Sequence, residues 1–120
     1  MNEEQYQQIL ERIDKIEFRQ ELLFYESEIN RSLFEYGITR KQYEQIMDLM
    51  DQYRKRIWNK EECNSSEFEM DLYGILPDHD GNYHMCEEFA KAFYDDGRWQ
   101  EVFIKLYGDN PKYAYVKGSE

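Results

Sequence analysis

From Asn2 to Tyr36 the chain runs 35 residues without a glycine or a proline, and no other feature narrows its fold as much. Those two residues disfavour helix interiors most strongly, so their absence over such a length leaves a helix as the natural state. Tyr6, Ile9, Ile13, Ile16 and Leu23 fall at alternating three- and four-residue steps, with Gln20 the one polar member. That spacing is a seam of the kind helices bury against one another. Continued, the steps would reach Ser27 and Asn30, whereas the apolar residues move to Leu22, Tyr25, Ile29, Leu33 and Tyr36. The stripe changes face near residues 23–26, which calls for a bend or for two different partners along the helix.

A straight helix over this stretch would be about 50 Å long, against roughly 35 Å for the diameter of a compact domain of this size. Such a helix overhangs. Either it breaks where the stripe shifts, or another copy of the chain covers its projecting apolar half. The sequence favours self-association, because Tyr6, Ile9, Ile13 and Ile16 lie at the end that the remaining helices have least chain to cover. A bent helix in a monomer is the competing reading.

Gly37 supplies a left-handed residue to end this first helix. Ile38-Thr39-Arg40-Lys41-Gln42-Tyr43 then carries a capping box, Thr39 with Gln42, and a hydrophobic staple, Ile38 with Tyr43. The spacing predicts a second helix to about Lys60, antiparallel to the first, with Tyr43, Ile46, Met47, Met50, Tyr53 and Ile57 on one face. Ser66 and Glu69 repeat the capping-box spacing and open a short helix that Gly74 and Pro77 stop. After the turn residues Asp78-His79-Asp80-Gly81-Asn82, helices follow over about Tyr83 to Asp95 and about Arg98 to Tyr107. The expected fold is all-α: a single domain over residues 1–120, with a long helical hairpin over 1–60, an acidic short-helix region over 61–108 and a tail over 109–120. In the tail, Tyr113-Ala114-Tyr115-Val116 is either extended or docked.

The stretches Ile13-Asp14-Lys15-Ile16-Glu17-Phe18-Arg19-Gln20-Glu21 and Cys86-Glu87-Glu88-Phe89-Ala90-Lys91-Ala92-Phe93-Tyr94-Asp95-Asp96-Gly97-Arg98-Trp99 carry a family likeness. Through them the chain resembles, over nearly its whole length, the YhaI-like family of small proteins of bacilli. The resemblance implies an all-helical, cytoplasmic, oligomeric protein, and it brings no catalytic residue with it.

Little in the sequence points to catalysis. His79, Asp80, His84, Cys86, Glu87 and Glu88 put metal-ligand types within ten residues, and His84 and Glu88 are one helical turn apart. However, a five-residue step between two histidines is not a spacing that zinc sites use. Cys86 as a nucleophile would need His79 or His84 as its base, and the surrounding carboxylates would raise its pKa. As a structural residue it is a small buried apolar group beside Phe89, whereas Cys63 reads as a loop thiol. The six glycines stand singly, so no phosphate-binding loop is present. The sequence implies no cofactor.

Charge carries more functional content. The net charge of −11 argues against binding to nucleic-acid backbone or anionic membrane. Residues 1–60 are nearly balanced at net −2, residues 61–120 stand at net −9, and Lys91 is the only base among 11 acids from Glu61 to Asp96. A face built from Glu67, Asp71, Asp78, Asp80, Glu87, Glu88, Asp95 and Asp96 would steer a basic partner or imitate a phosphate array; the plainer reading is a solvated surface. Arg54, Lys55, Arg56 and Lys60 form the one basic cluster, placed to meet acids from a neighbouring helix. Without a secretory signal at Met1-Asn2-Glu3-Glu4-Gln5 or an apolar run of membrane-spanning length, the expected setting is the cytoplasm. The function expected is that of a non-catalytic oligomeric interaction or regulatory protein. It would work through Tyr6, Ile9, Ile13, Ile16 and through Glu87, Glu88, Asp95, Asp96. A small metal-dependent or thiol enzyme using His79, His84 and Cys86, and an acidic nucleic-acid mimic, are the alternatives.

Overall fold

A computed structural model describes residues 2–113, and within them the chain is all-helical. Six α-helices follow in order: α1 Glu3–Phe24, α2 Glu28–Glu35, α3 Arg40–Trp58, α4 Ser65–Ile75, α5 Tyr83–Asp95 and α6 Gln100–Tyr107. Short 3-10 turns at Pro77–His79 and Pro111–Tyr113 complete the order. Residues 114–116 of the expected tail lie outside the described residues.

The first helix breaks where the apolar stripe changes face. Tyr25 ends α1 in an extended conformation, and Ser27 caps α2 by accepting from the Asn30 N–H at 3.1 Å. The Asn30 side chain donates to the Tyr25 carbonyl at 2.6 Å, tying the two helix ends together. Through this corner α2 folds back on α1, and Arg19 lies 4.0 Å above the Phe34 ring. The expectation of one helix through Tyr36 is therefore corrected. Ser27 and Asn30, polar where the seam would continue, supply the side-chain bonds that a corner needs.

This corner also changes which helix packs most closely on α1. It is α2, whereas α3 reaches α1 at its first turn, through Arg40 and Tyr43. The Thr39–Gln42 capping box forms as the sequence indicates, with both bonds at 3.0–3.1 Å, and Gly37 ends α2 at φ +67°. Two boundaries differ. Asn64 caps α4, accepting from Glu67 N–H at 2.9 Å, in place of Ser66. Gly74 lies inside α4, which runs to Ile75 before Leu76 and Pro77 stop it. A lone glycine three residues before a proline does not end a helix whose other side chains are packed.

One core runs from Phe18 to Tyr113 and is rich in aromatic rings. Tyr36 meets Phe89 edge-on at 5.6 Å, joining α2 to α5. Phe68 meets Tyr53 at 5.4 Å and Tyr107 at 6.5 Å, joining α4 to α3 and α6. Edge-to-face pairs at these separations add to the burial of apolar area. Trp99 enters α6 from the left-handed region at φ +50°. Its indole N–H donates to Asp51 at 2.8 Å and its ring meets Phe93 at 5.0 Å, contacts that hold an unfavourable backbone state in place. Cys63, expected as an open loop thiol, is in a loop but buried against this core.

The molecule measures 57 × 28 × 25 Å. Its length comes from the amino-terminal half of α1, in which no residue before Phe18 is buried.

Candidate functional site

The two sides of α1 do different things. Phe18 and Leu22 are buried against the body, and Arg40 reaches across to Asp14 at 3.1 Å and Glu21 at 2.8 Å while lying 5.0 Å from the Phe18 ring. Both carboxylates hold the Arg40 guanidinium protonated well above its already high ordinary pKa. At about 100° per residue, Phe18 lies roughly opposite Ile16 and Gln20, so the sequence that docks one side turns the seam outward. Tyr6 is 53% exposed, Ile9 41%, Ile13 46%, Ile16 58% and Leu23 65%. Leu10, Phe24 and Tyr25 widen the exposed stripe. Asn2 and Gln5 cap the helix start with reciprocal bonds of 2.8 and 3.1 Å, a box not read from the sequence although its residues stand at the expected spacing.

Many acids of the carboxy-terminal half have partners, some in α3 and some within that half. Glu67 binds Arg56 at 2.8 Å, Asp71 accepts from the Tyr53 hydroxyl at 2.7 Å, and Glu69 accepts from Tyr107 at 2.8 Å. Asp95 meets Lys91 at 2.6 Å and Asp96 meets Arg98 at 2.9 Å. Glu101 pairs with Arg54. Arg54 and Arg56 of the basic cluster ending α3 thus meet acids of α6 and α4. Burial and then the hydrogen bonds to Asp71 and Glu69 push the Tyr53 and Tyr107 phenols far above their ordinary range.

A cleft of about 340 Å³ lies between α2 and α5, with Glu28, Arg31, Glu35, Glu88, Asp95 and Lys112 among its lining. Glu87 also lines it but is itself buried, with Lys112 Nζ 2.9 Å from Oε1. Burial alone would raise this carboxyl; bonds from Lys112 and Tyr113, with the charge of Lys112 and the nearby His84, outweigh it and hold the pKa below the ordinary carboxylate value. Glu87 therefore fastens the Pro111–Tyr113 turn to α5. Glu88 is exposed beside Tyr36, whose phenol is raised first by burial and then by the charges of Glu88 and Glu35.

His79, His84 and Cys86 each have a different neighbour. His79 places Nε2 3.0 Å from the Tyr36 carbonyl, fixing the loop after α4 to the end of α2. His84 is exposed, with its ring 4.1 Å from that of Tyr83. Cys86 is fully buried beside Tyr73, and burial pushes its thiol up to about 12, a value at which almost no thiolate exists near neutrality. Among the described residues no three His, Cys, Asp or Glu side chains come together in a way that could hold a metal ion. Nor, among these residues, is any helix long and apolar enough to cross a membrane.

Comparison with protein-family models, with curated proteins and with solved structures gave no match.

Proposed function

We propose that this chain is a non-catalytic interaction protein that works as an assembly of copies joined through α1. One observation carries the reading: a continuous apolar seam faces solvent on the side of α1 opposite its docked residues, Phe18 and Leu22. Exposed apolar patches of this kind mark contact sites more often than they occur by chance on a monomer. The resemblance to the YhaI-like family and the cytoplasmic setting belong to the same proposal and rest on the sequence alone. A thiol enzyme has less support, since Cys86 is buried beside Tyr73, with burial pushing its thiol up to about 12. For a basic partner, the acids of the expected face that form no ion pair among the described residues are Asp71, Asp78, Asp80 and Glu88, and Asp71 already accepts from the Tyr53 hydroxyl.

The test is a dilution series by light scattering and sedimentation, on the natural chain and on Ile9→Asp/Ile13→Asp. The natural chain should form a particle of at least two copies that dissociates on dilution, and the variant should stay single with its helix content kept. A natural chain of one copy's mass at every concentration overturns the proposal.

A further inference from the structure

We propose that the occupant of the α1 seam is another copy of this chain laid parallel and in register. This rests on the self-association reading above and adds to it the direction and alignment of the helices. Three observations carry it.

The first is the register. Setting Tyr6 at the first heptad position places Tyr6, Ile13 and Gln20 at the a positions and Ile9, Ile16 and Leu23 at the d positions. Every one of these six side chains is exposed, and the body docks through Phe18 and Leu22 at the f and c positions, away from the seam. A second helix can therefore approach without displacing α2 or α3.

The second is charge. Arg12 falls at g and Glu17 at the following e position, the pair that flanks the seam between parallel helices in register. Both are exposed, and among the described residues neither makes an ion pair within its own chain. Their neighbours inside the chain are thus left to other residues: Arg40 takes Asp14 and Glu21, and Arg19 lies on Phe34. In an antiparallel pair the g positions face each other, which would set Arg12 near Arg19 of the other copy at a cost from like charge.

The third is Gln20, the one polar residue of the seam. Parallel, in-register helices match a with a, so Gln20 meets its own counterpart and the two amides can bond to each other. Antiparallel helices match a with d and would bury the amide against an apolar side chain, with no partner for it. A polar a position of this kind selects alignment at some expense of stability.

The experiment uses the full chain. Single Tyr6→Cys and Leu23→Cys variants, at opposite ends of the seam, are oxidised under mild conditions, with the natural chain and its buried Cys63 and Cys86 as the control. Both variants should link to their own counterparts in high yield and the control should not; an antiparallel pair can bring together at most one of the two positions. In parallel, Arg12→Glu and Glu17→Arg should each weaken association by about 3–10-fold, and the double exchange Arg12→Glu/Glu17→Arg should restore it. Linking at only one end, or an exchange that fails to restore, overturns the parallel alignment while leaving self-association standing. A natural chain that is monomeric throughout the dilution series overturns both.

Discussion

The amino-terminal half of α1 and the body from α2 to α6 are built from the same kinds of residue and are stabilised differently. In the body Phe68, Phe89, Phe93 and Phe103 have no exposed surface, and the polar tips of Tyr53, Trp99 and Tyr107 each bond a carboxylate. Along α1, isoleucines of comparable size are 41–58% exposed, and the helix is supported by its cap at Asn2 and its attachment at Phe18, Leu22 and Arg40. At 22 residues α1 is long enough to carry its amino-terminal half beyond the body, and that half has no buried residue before Phe18. The comparison teaches that apolar content alone does not define a core; the turn at Tyr25–Ser27 decides which apolar residues have neighbours.

Removing a ring from the body gives the largest expected effect. Phe89→Ala should destabilise by about 3–5 kcal/mol, read as a lower midpoint in urea, because it empties space shared by α2 and α5. A loss under 1 kcal/mol would show that this packing is looser than the contacts imply. Tyr107→Phe leaves the Glu69 carboxylate without its donor and should cost about 1–2 kcal/mol. It should also lessen the alkaline loss of stability: a phenol whose pKa is raised on folding stabilises below its unfolded value of about 10 and loses that contribution as pH rises above it.

The corner between the two regions comes next. Ser27→Ala removes the cap of α2 and should cost about 1 kcal/mol; equal stability would mean that Asn30 holds the corner without it. Glu87→Gln should show a smaller change, confined to acid. The Glu87 carboxyl titrates below its ordinary value when folded, so it stabilises above the unfolded pKa of about 4.3 and that contribution is lost as pH falls through the folded value. Unfolding curves of the variant and the natural chain should therefore separate above about pH 5 and converge as the medium becomes more acid; a constant difference would remove the charge argument. The smallest effect is expected from Ile13→Asp measured at high dilution, where it should alter stability by no more than about 0.5 kcal/mol. A larger loss would place Ile13 in a contact within its own chain.

Much of this architecture was legible in the sequence. Thr39 with Gln42 marked the start of α3, the pattern over about Tyr83 to Asp95 gave α5, and the shift of stripe near residues 23–26 located the corner. These are local signals, set by side chains that bond backbone groups three residues away. What the sequence left undecided required partners far along the chain. Spacing alone could not say whether the stripe shift was a bend or a break, nor that Asn64 would outcompete Ser66 as a cap. The acidic half looked like an open face because counting charges ignores pairing: Arg56 to Glu67 and Lys112 to Glu87 close contacts across 11 and 25 positions. His79 and His84 are near in sequence, yet one bonds the Tyr36 carbonyl and the other rests on Tyr83.

The sequence by itself determined an all-helical chain, the spacing of the α1 seam and the start of α3 at Thr39, because all of these follow from backbone preferences and short-range periodicity. Only the tertiary structure decided that Phe18 and Leu22 turn inward while Tyr6, Ile9, Ile13 and Ile16 face water, that Cys86 is sealed in the core, and that acids such as Glu67, Asp95 and Asp96 already have partners. The physical reason is that burial and ion pairing depend on which surfaces meet, and a helix carrying apolar residues on two sides can satisfy only one of them within its own body.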